Sequence, residues 1–360
     1  MKILFIISNL ANGGAERVIS TLCDEFSKMG DTCEILYFEQ NSGYYEYKAT
    51  LTYLPLYEKY EKRGILNKLS KFWHKLSKFS QKLRKFWRIN KAIKKSNSNA
   101  IISMLDQTNI NVLISTFFAP KSVIIGEHTD ERELKSRFWR AMRRLLYARA
   151  KALVVLNESE KNYYNFCKNA KVIYNPLNAD FLSPSAPANK ENIVLCAGRL
   201  ESVKNYEFYL KSLALISPDL RKNWRFIIAG DGSQKERLLA LNDELKIGAE
   251  FIGHAKNTKE LYAKASILAL PSKSECLPNV LIESIGFYCA RISTPTAGAS
   301  ELITHAKDGI IASELEFAKA LEQLMRDEKL RASLAKNALR RLADFEPAKI
   351  AFKYKELILS

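Results

Sequence analysis

The order of short apolar runs and helical segments constrains the fold of this chain more than any other feature. Residues 2–7 form an apolar run that leads into the pair Gly13-Gly14, where a helix is predicted to begin. The same order returns later, with apolar runs at 193–196, 224–229 and 265–270. Alternation of this kind predicts parallel strands joined by helices that pack on the sheet. The chain is therefore expected to be an α/β protein with doubly wound sheets.

A second α/β run begins after a polar linker. Residues 178–192 contain Pro184 and Pro187 among Ser, Ala and Asn, a composition typical of a connection between domains. A chain of 360 residues exceeds one typical domain, so two are expected. We predict a first domain over 1–178, a second over 190–343 and a C-terminal helix over 344–360. Further strands of the first domain are expected at 100–103, 112–116, 122–126, 152–156 and 171–174.

Positive charge is concentrated in one segment. The chain carries 56 Lys and Arg against 39 Asp and Glu, a formal net charge of +17. Residues 58–95 contain 14 of these cations and only two acids. A seven-residue unit occurs there three times, as Lys68-Leu-Ser-Lys-Phe-Trp-His74, Lys75-Leu-Ser-Lys-Phe-Ser-Gln81 and Lys82-Leu-Arg-Lys-Phe-Trp-Arg88. An excess of this size favours an anionic partner, which could be nucleic acid, an acidic membrane or phosphates.

A basic amphipathic helix over about 60–95 would place the aromatic and leucine side chains of this repeat in one arc, beside a stripe of lysines. The segment could be a coiled coil, a helix packed on its own domain, or a helix at a bilayer interface. Aromatic residues suit a coiled-coil seam poorly, and the scarcity of acids leaves no charged partners for one. We favour the interface, where Trp and Phe lie at headgroup depth and Lys meets anionic lipid. The expected membrane residues are Phe72, Trp73, Phe79, Phe86 and Trp87, and the lysines expected to hold a lipid diphosphate are Lys68, Lys71, Lys75, Lys78, Lys82 and Lys85.

Cysteine usage and the N-terminus bear on the compartment. The six cysteines show no C-x-x-C pair and no zinc spacing, which indicates reduced thiols of a cytosolic protein. The first apolar run, 3–7, leads into glycines rather than a small-residue cleavage site, so a strand is expected there instead of a signal peptide. No run reaches the roughly 18 apolar residues that span a bilayer. We expect a cytoplasmic protein, peripheral on the inner face of the cell membrane.

Two glutamates separated by seven residues follow the apolar run 265–270. Glu275 and Glu283 enclose Leu277 and Pro278, and a proline in the first turn of a helix wastes no backbone donor. Backbone N–H groups at that point can face an anion, and the carboxylates can accept hydrogen bonds from a sugar nucleotide. Position supports this interpretation, because α/β proteins bind ligands beyond the carboxyl ends of their strands. The alternative is a pair of solvated charges on an amphipathic helix.

Three other turns follow predicted strands. The turn at 198–205 places Arg199 and Lys204 five residues apart, a spacing of two cations that suits a diphosphate. Gly230-Asp231-Gly232 ends the strand at 224–229. His128 lies at the predicted end of the strand at 122–126, although a single histidine is more often structural. A basic run at 137–149 is either a second surface-seeking helix or an ordinary solvated face.

In this order and spacing, the motifs resemble those of retaining glycosyltransferases of family 4. The quoted residues match the family's E-x7-E pair, its G-R-L-x-x-x-K-N donor loop, its G-x-G turn, its G-G-A-E acceptor-side turn at 13–16 and its small-residue loop at 296–301. The resemblance covers nearly the whole chain and implies the GT-B fold, with two Rossmann-like domains facing a cleft. The chain departs from the family at Cys276, where relatives usually carry Gly, whose lack of a Cβ allows close backbone approach.

The resemblance also implies the chemistry. It implies a UDP-sugar donor, transfer with retention, and no metal ion or other cofactor, in keeping with the lack of any Asp-x-Asp in the sequence. The catalytic residues implied are His128, Arg199, Lys204 and Glu275. The donor-binding residues implied are Gly14, Gly198, Arg199, Lys204, Gly230, Gly232, Leu277, Pro278 and Glu283. The acceptor-binding residues implied, beside the lysines of the repeat, are Gly13, Glu16 and Arg17.

Within the family, the lysine–aromatic repeat, the segment 124–128 and the basic segments 137–140 and 143–144 resemble one group of enzymes. These are N-acetylgalactosamine transferases that extend the polyprenyl-diphosphate-linked glycan of bacterial protein N-glycosylation, among them one that adds several residues in succession. The alternative is a single-addition transferase for lipopolysaccharide or capsule glycans. Two other classes are a sugar-nucleotide epimerase, which shares the fold but needs no such helix, and a nucleic-acid-binding protein. No nucleic-acid partner is expected, since the charge lies in one amphipathic segment rather than among separate stacking platforms.

Overall fold

Two parallel sheets, each with helices on its faces, organise the chain. The computed structural model describes residues 1–11, 13–40, 43, 45–56, 83–117, 122–128, 136–182, 190–255 and 257–360. One compact unit contains Met1–Val155, Glu160–Ile173 and Ile350–Ser360, and the other contains Leu156–Ser159 and Tyr174–Lys349.

The first unit holds a seven-stranded sheet in the order β3-β2-β1-β4-β5-β6-β7. Every strand pair in it is parallel. Its strands are β1 Lys2–Ile7, β2 Thr32–Tyr37, β3 Thr50–Tyr53, β4 Ala100–Met104, β5 Val123–Gly126, β6 Ala152–Val155 and β7 Ala170–Val172. The helices in this part of the chain are α1 Gly14–Lys28, α2 with described residues 83–96, α3 Asp106–Ser115, α4 Arg137–Tyr147 and α5 Glu158–Tyr163.

The second unit holds a six-stranded parallel sheet in the order β10-β9-β8-β11-β12-β13. Its strands are β8 Glu191–Ala197, β9 Arg225–Ala229, β10 Glu250–Gly253, β11 Ala265–Leu270, β12 Ala290–Ser293 and β13 Ile310–Ile311. The helices that follow are α6 Tyr206–Ala214, α7 Pro218–Arg221, α8 Lys235–Glu244, α9 Thr258–Lys264, α10 Asn279–Glu283, α11 Ala297–Leu302, α12 Phe317–Arg326, α13 Glu328–Ala338 and α14 Pro347–Leu359. Short 3-10 turns lie at Ala179–Phe181, Ser202–Lys204, Ser284–Phe287 and Leu339–Phe345.

Both faces of the second sheet are covered. Strand β8 shows this, because Ile193 and Leu195 join one apolar cluster while Val194 and Cys196 join another. Every residue of β11 is buried. A strand buried on both faces lacks an alternating pattern, which is why the continuous apolar runs of the sequence predict parallel strands correctly. The six cysteines are all buried and carry free thiols.

One predicted strand is wrong. Residues 112–116 lie not in a strand but at the C-terminal end of α3, which begins at Asp106, and in Thr116, the residue that follows it. In the sequence, the apolar residues Val112 and Leu113 suggest a buried strand, and in the structure both are indeed buried. Short apolar runs buried on all sides have the same composition in a helix and in a strand. Four strands, at Thr32–Tyr37, Thr50–Tyr53, Ala290–Ser293 and Ile310–Ile311, were not predicted at all.

Helix α2 contains the last part of the lysine–aromatic repeat, and residues 57–82 lie outside the described residues. Ile89 and Ile93 are buried in the core of the first unit, together with residues of β4 and α3. Leu83 and Trp87, by contrast, are 55% and 63% exposed. The described part of the helix therefore packs on its own unit through one face and presents the repeat's Leu and Trp to solvent on another.

Candidate active site

The motif-bearing turns of the second unit lie along one edge of its sheet. Strands β8, β9, β11 and β12 are parallel, and each leads directly into one of the predicted motifs. The order reverses between β8 and β11, since β9 and β10 extend the sheet one way from β8 and β12 extends it the other way from β11. Ligands of doubly wound proteins bind outside the carboxyl ends of the strands at such a point.

Two predicted catalytic residues meet there. Lys204, at the end of the 3-10 turn after β8, places its Nζ 2.5 Å from Oε1 of Glu275, which follows β11. The hydroxyl of Ser272 donates a second hydrogen bond to the same oxygen, at 2.7 Å. The side chains of Lys204 and Glu275 are 20% and 11% exposed, so this pair is largely shielded from water. Arg199, in the same loop as Lys204, is exposed.

Glycines bring the first two turns into backbone contact. Gly230 has a φ of +149°, and a Cβ there would lie 1.9 Å from the carbonyl oxygen of Gly198. The N–H of Gly198 donates to Ala229, and the N–H of Leu200 donates to Asp231, both at 2.9 Å. A Cβ at Gly232 would lie 2.7 Å from the Leu200 carbonyl. The two turns can approach this closely only because glycines stand at these positions.

The backbone around Glu275 is fixed by two neighbours. The N–H of Gly298, in α11, donates to the Glu275 carbonyl at 2.8 Å, and a Cβ at Gly298 would lie 2.4 Å from the Cys276 carbonyl. The side-chain amide of Asn157 donates to the Cys276 carbonyl at 2.8 Å. Cys276 belongs to an apolar core cluster, so its side chain is accommodated inside the unit where the family usually has Gly.

Glu283 is held from a different direction. It ends α10, is 4% exposed, and accepts a hydrogen bond of 2.9 Å from the hydroxyl of Tyr262 in α9. Leu277 is buried, and Pro278 is the N-cap residue of α10. The E-x7-E pair therefore divides between two environments, with Glu275 beside a cation and Glu283 against a buried phenol.

In the first unit, the glycine turn after β1 begins α1. Gly13 is the N-cap residue, Gly14 is exposed, and the side chain of Glu16 folds back so that a Cβ at Gly13 would lie 2.1 Å from its Oε2. Glu16 is 6% exposed, and burial raises the pKa of its carboxyl, although a hydrogen bond from its own backbone N–H lowers it. Arg17, one residue further along the helix, is half-buried.

His128 follows β5, at the carboxyl edge of the first sheet, and its predecessor Glu127 is fully buried. The Tyr147 hydroxyl and the Asn109 amide both donate to Oε1 of Glu127. Burial raises the pKa of Glu127 to about 8, and the Asp106 carboxylate raises it further, while these hydrogen bonds and the nearby Arg143 charge oppose the shift. The residue next to His128 is thus a carboxyl group that holds its proton near neutral pH.

Sequence reasoning missed the residues that position these groups. Ser272 and Tyr262 bind the two motif glutamates, and Asn109 and Tyr147 bind Glu127. Ser272 lies two residues after the apolar run at 265–270, and that position at the end of a strand marks it as a candidate. Tyr262 is 21 residues from Glu283, and no local pattern relates the two.

The predicted membrane residues and the predicted lysines of the repeat lie either in α2 or outside the described residues. Lys85 is 8% exposed, and its Nζ lies 4.9 Å from the centroid of the Phe86 ring. Trp87 is exposed, with the Nζ of Lys91 lying 5.2 Å from the centroid of its ring. The residues of the repeat that fall outside the described ranges are Lys68, Lys71, Phe72, Trp73, Lys75, Lys78, Phe79 and Lys82.

The chain has two doubly wound units, and the second pairs a cation with a carboxylate at the point where its strand order reverses. This is the architecture of the GT-B glycosyltransferases. Two family models divide the chain between them. Glycosyltransferase Family 4 matches residues 12–181, and Glycosyl transferases group 1 matches residues 179–341.

Two relatives from Campylobacter jejuni match over almost their whole length. The chain is 37% identical to the GalNAc-alpha-(1->4)-GalNAc-alpha-(1->3)-diNAcBac-PP-undecaprenol alpha-1,4-N-acetyl-D-galactosaminyltransferase of Campylobacter jejuni, over 99% of this chain and 98% of that one. It is 28% identical to the N-acetylgalactosamine-N,N'-diacetylbacillosaminyl-diphospho-undecaprenol 4-alpha-N-acetylgalactosaminyltransferase of the same organism, over 97% of each. The crystal structure of Anabaena HepE in complex with UDP superposes with a TM-score of 0.82 at 17% identity, over 100% of both chains. The chain therefore belongs to glycosyltransferase family 4.

Proposed function

We propose that this protein transfers N-acetylgalactosamine from UDP-N-acetylgalactosamine, with retention, to an undecaprenyl-diphosphate-linked glycan of bacterial protein N-glycosylation, and that it does so several times in succession. One observation carries the proposal: 37% identity, over 99% of this chain, to a transferase whose acceptor already ends in two N-acetylgalactosamine residues. The second Campylobacter enzyme, whose acceptor ends in one such residue, is less similar at 28%. An acceptor that ends in N-acetylgalactosamine is thus the substrate class that the relatives support best.

The donor loop supplies the charge that this reaction needs. Cleavage of the anomeric C–O bond leaves a diphosphate whose negative charge grows in the transition state, and preorganised cations stabilise such charge. Lys204 and Arg199 lie in one loop at the ligand edge of the second sheet and are assigned to the leaving diphosphate. Two protein cations there take the part that a metal ion plays in other transferases, so we propose that the enzyme needs no metal.

The carboxylates and His128 are assigned to the two sugars of the donor. Glu275 accepts hydrogen bonds from hydroxyls of the transferred sugar, and Glu283 accepts them from the ribose. His128 steadies the sugar as positive charge develops at its anomeric carbon. The turn with Gly13, Glu16 and Arg17 faces the acceptor. A phosphate oxygen of the donor takes the proton of the attacking hydroxyl, so no protein nucleophile is required.

A lipid-linked acceptor requires the enzyme to work at a membrane surface. None of the helices in the described ranges is both long enough and apolar enough to cross a membrane. We assign the contact to peripheral association with the anionic inner face of the cell membrane, through the lysine–aromatic repeat.

Mass spectrometry of a diphosphate-linked acceptor tests the proposal. The whole chain is incubated with an acceptor ending in N-acetylgalactosamine and with UDP-N-acetylgalactosamine, UDP-N-acetylglucosamine, UDP-galactose or UDP-glucose in turn. We expect a ladder of N-acetylhexosamine additions with the first donor only, and the same ladder after EDTA treatment. Addition from another donor would contradict the donor assignment, a single addition would contradict repetition, and loss restored by Mg²⁺ or Mn²⁺ would contradict metal independence.

A further inference from the structure

Helix α4 carries a stripe of arginines to which the proposed function assigns no part in the reaction. Arg137, Arg140, Arg143 and Arg144 occur at spacings of three and four residues. At about 100° per residue these four side chains fall within one arc of the helix. The first unit therefore has a second concentration of positive charge, separate in sequence from the lysine–aromatic repeat.

These arginines line an open pocket of about 520 Å³. Its other lining residues are Ala141, Tyr163, Asn165 and Phe166, so no acidic side chain is among the described residues that line it. Four guanidinium groups around one space attract an anion, and phosphate oxygens match the planar donor geometry of arginine. The pocket has the charge and the donors of a phosphate site.

The floor of the pocket is a buried arginine whose orientation is fixed by its neighbours. Arg143 is 2% exposed, donates a hydrogen bond of 3.1 Å to the Tyr163 hydroxyl, and lies 3.9 Å from Asp106. The guanidinium carbon of Arg144 lies 5.5 Å from the centroid of the Phe166 ring. Arg137, Arg140 and Arg144 are exposed. A buried, oriented arginine below three exposed ones gives the pocket a fixed floor and an open mouth.

Apolar side chains beside the pocket identify the source of the phosphate. Phe138 and Leu145 lie on the adjoining arc of α4 and are 64% and 68% exposed. Large apolar side chains at the surface of a soluble anion site would cost free energy, whereas at a bilayer they enter the boundary between headgroups and acyl chains. Arginine headgroup contacts and apolar insertion from one helix fit a phospholipid.

We propose that the pocket of α4 binds the phosphate of an anionic phospholipid headgroup, with Phe138 and Leu145 inserted beside it. This inference rests on the proposed function in one respect, because the membrane is the surface on which the lipid-linked acceptor lies. It gives the first unit a second, independent membrane contact in addition to the repeat, and two contacts fix an orientation that one does not.

The test measures binding of the whole chain to vesicles of phosphatidylcholine with and without phosphatidylglycerol. Arg140→Gln combined with Arg144→Gln should weaken binding to the anionic vesicles about thirtyfold, because each arginine removed takes away part of the electrostatic attraction to the membrane surface. Phe138→Ser combined with Leu145→Ser should weaken it about tenfold. The matched control, Arg237→Gln combined with Arg326→Gln, removes two charges from the second unit and should change binding little. Each variant is also measured with Phe72, Phe79 and Phe86 replaced by Ser, which lowers the contribution of the repeat.

Several outcomes would overturn the proposal. It fails if the pocket variant binds vesicles as tightly as the control variant. It also fails if soluble glycerol phosphate competes fully with vesicles while the Phe138 and Leu145 variant binds normally, since the pocket would then take soluble phosphate. Vesicle binding needs no sugar donor. Failure of the parent protein to transfer sugar to a short-chain soluble acceptor would therefore count against the proposed function alone.

Discussion

Lys204 and Glu275 form an ion pair at the candidate donor loop. Their charges lie 2.5 Å apart in a site that leaves only 20% and 11% of the two side chains exposed. A shielded charge whose partner is removed costs far more than an exposed one. Removal of either partner would therefore leave a poorly solvated charge, and on our proposal the donor diphosphate replaces Glu275 as the partner of Lys204.

Replacement of either donor-loop cation should stop most transfer. Lys204→Ala or Arg199→Ala is expected to lower kcat/KM by about 100-fold or more, by analogy with the loss of one preorganised electrostatic group. The control is Lys211→Ala, because Lys211 forms an exposed pair with Glu207 on α6. The measurement is initial-rate transfer to a soluble acceptor, and rates like those of the control would remove the two cations from the site.

Glu127 couples stability to pH. Because burial raises its pKa from 4.5 to about 8, the folded protein keeps this proton between those values while the unfolded chain releases it. The contribution of Glu127 to stability is present in full below about pH 4.5 and is lost by about pH 8. At ~1.4 kcal/mol for each unit between the two pKa values, the loss amounts to a few kcal/mol.

Glu127→Gln should remove this dependence. The variant keeps an oxygen that accepts from Tyr147 and Asn109 but has no proton to release, so its free energy of unfolding should fall less than that of the parent between pH 5 and pH 8. Denaturant unfolding at several pH values measures the difference, with Glu322→Gln on the surface of α12 as control. Parallel pH profiles for parent and variant would contradict a neutral Glu127.

Helix α2 has two different faces. Ile89 and Ile93 fix the helix to the first unit, whereas Leu83 and Trp87 remain exposed. In the described part of the helix, the repeat places Leu83 and Trp87 on the exposed face, whereas its Lys85 is only 8% exposed. Packing on the first unit and the membrane contact that we propose can therefore be altered separately.

Replacing the phenylalanines of the repeat should weaken membrane binding without inactivating the enzyme. With Phe72, Phe79 and Phe86 changed to Ser, binding to anionic vesicles should fall sharply and leave only the contact proposed for α4, while transfer to a short-chain soluble acceptor is kept, because only apolar anchors are removed. The contrasting variant replaces the six lysines, which we expect to raise the acceptor KM and to change the length of the product. Unchanged product lengths and KM in the lysine variant would reduce the repeat to a membrane anchor.

The elements also show where sequence patterns mislead. The runs that form β1, β8, β9 and β11 were predicted within two residues of their bounds, because strands of a doubly covered sheet are continuously apolar. The run at 112–116 has the same composition, yet it lies at the end of a helix that is buried on several sides. Strand β3 was missed because most of its side chains are exposed, and β13 because it has only two residues.

For the chain as a whole, the sequence predicts the kind of fold and the turns that follow its strands, because glycines and charges at strand ends obey local rules. Strand order and the partners of the site residues do not follow from such local rules. The contact between Lys204 and Glu275 joins residues 71 apart, and that between Tyr262 and Glu283 joins different helices. Such pairs depend on which strands become neighbours, and hydrophobic pattern alone does not specify this.

Because of helix α14, the two units receive their last residues at different times during synthesis. The second unit has all of its residues once Lys349 has been added, whereas the first unit still lacks Ile350–Ser360. Those residues bring the buried side chains of Ile350 and Tyr354 and the ion pair between Lys355 and Asp31. Because domains fold as units while the ribosome is still at work, the half of the protein that is made first is the half that is finished last.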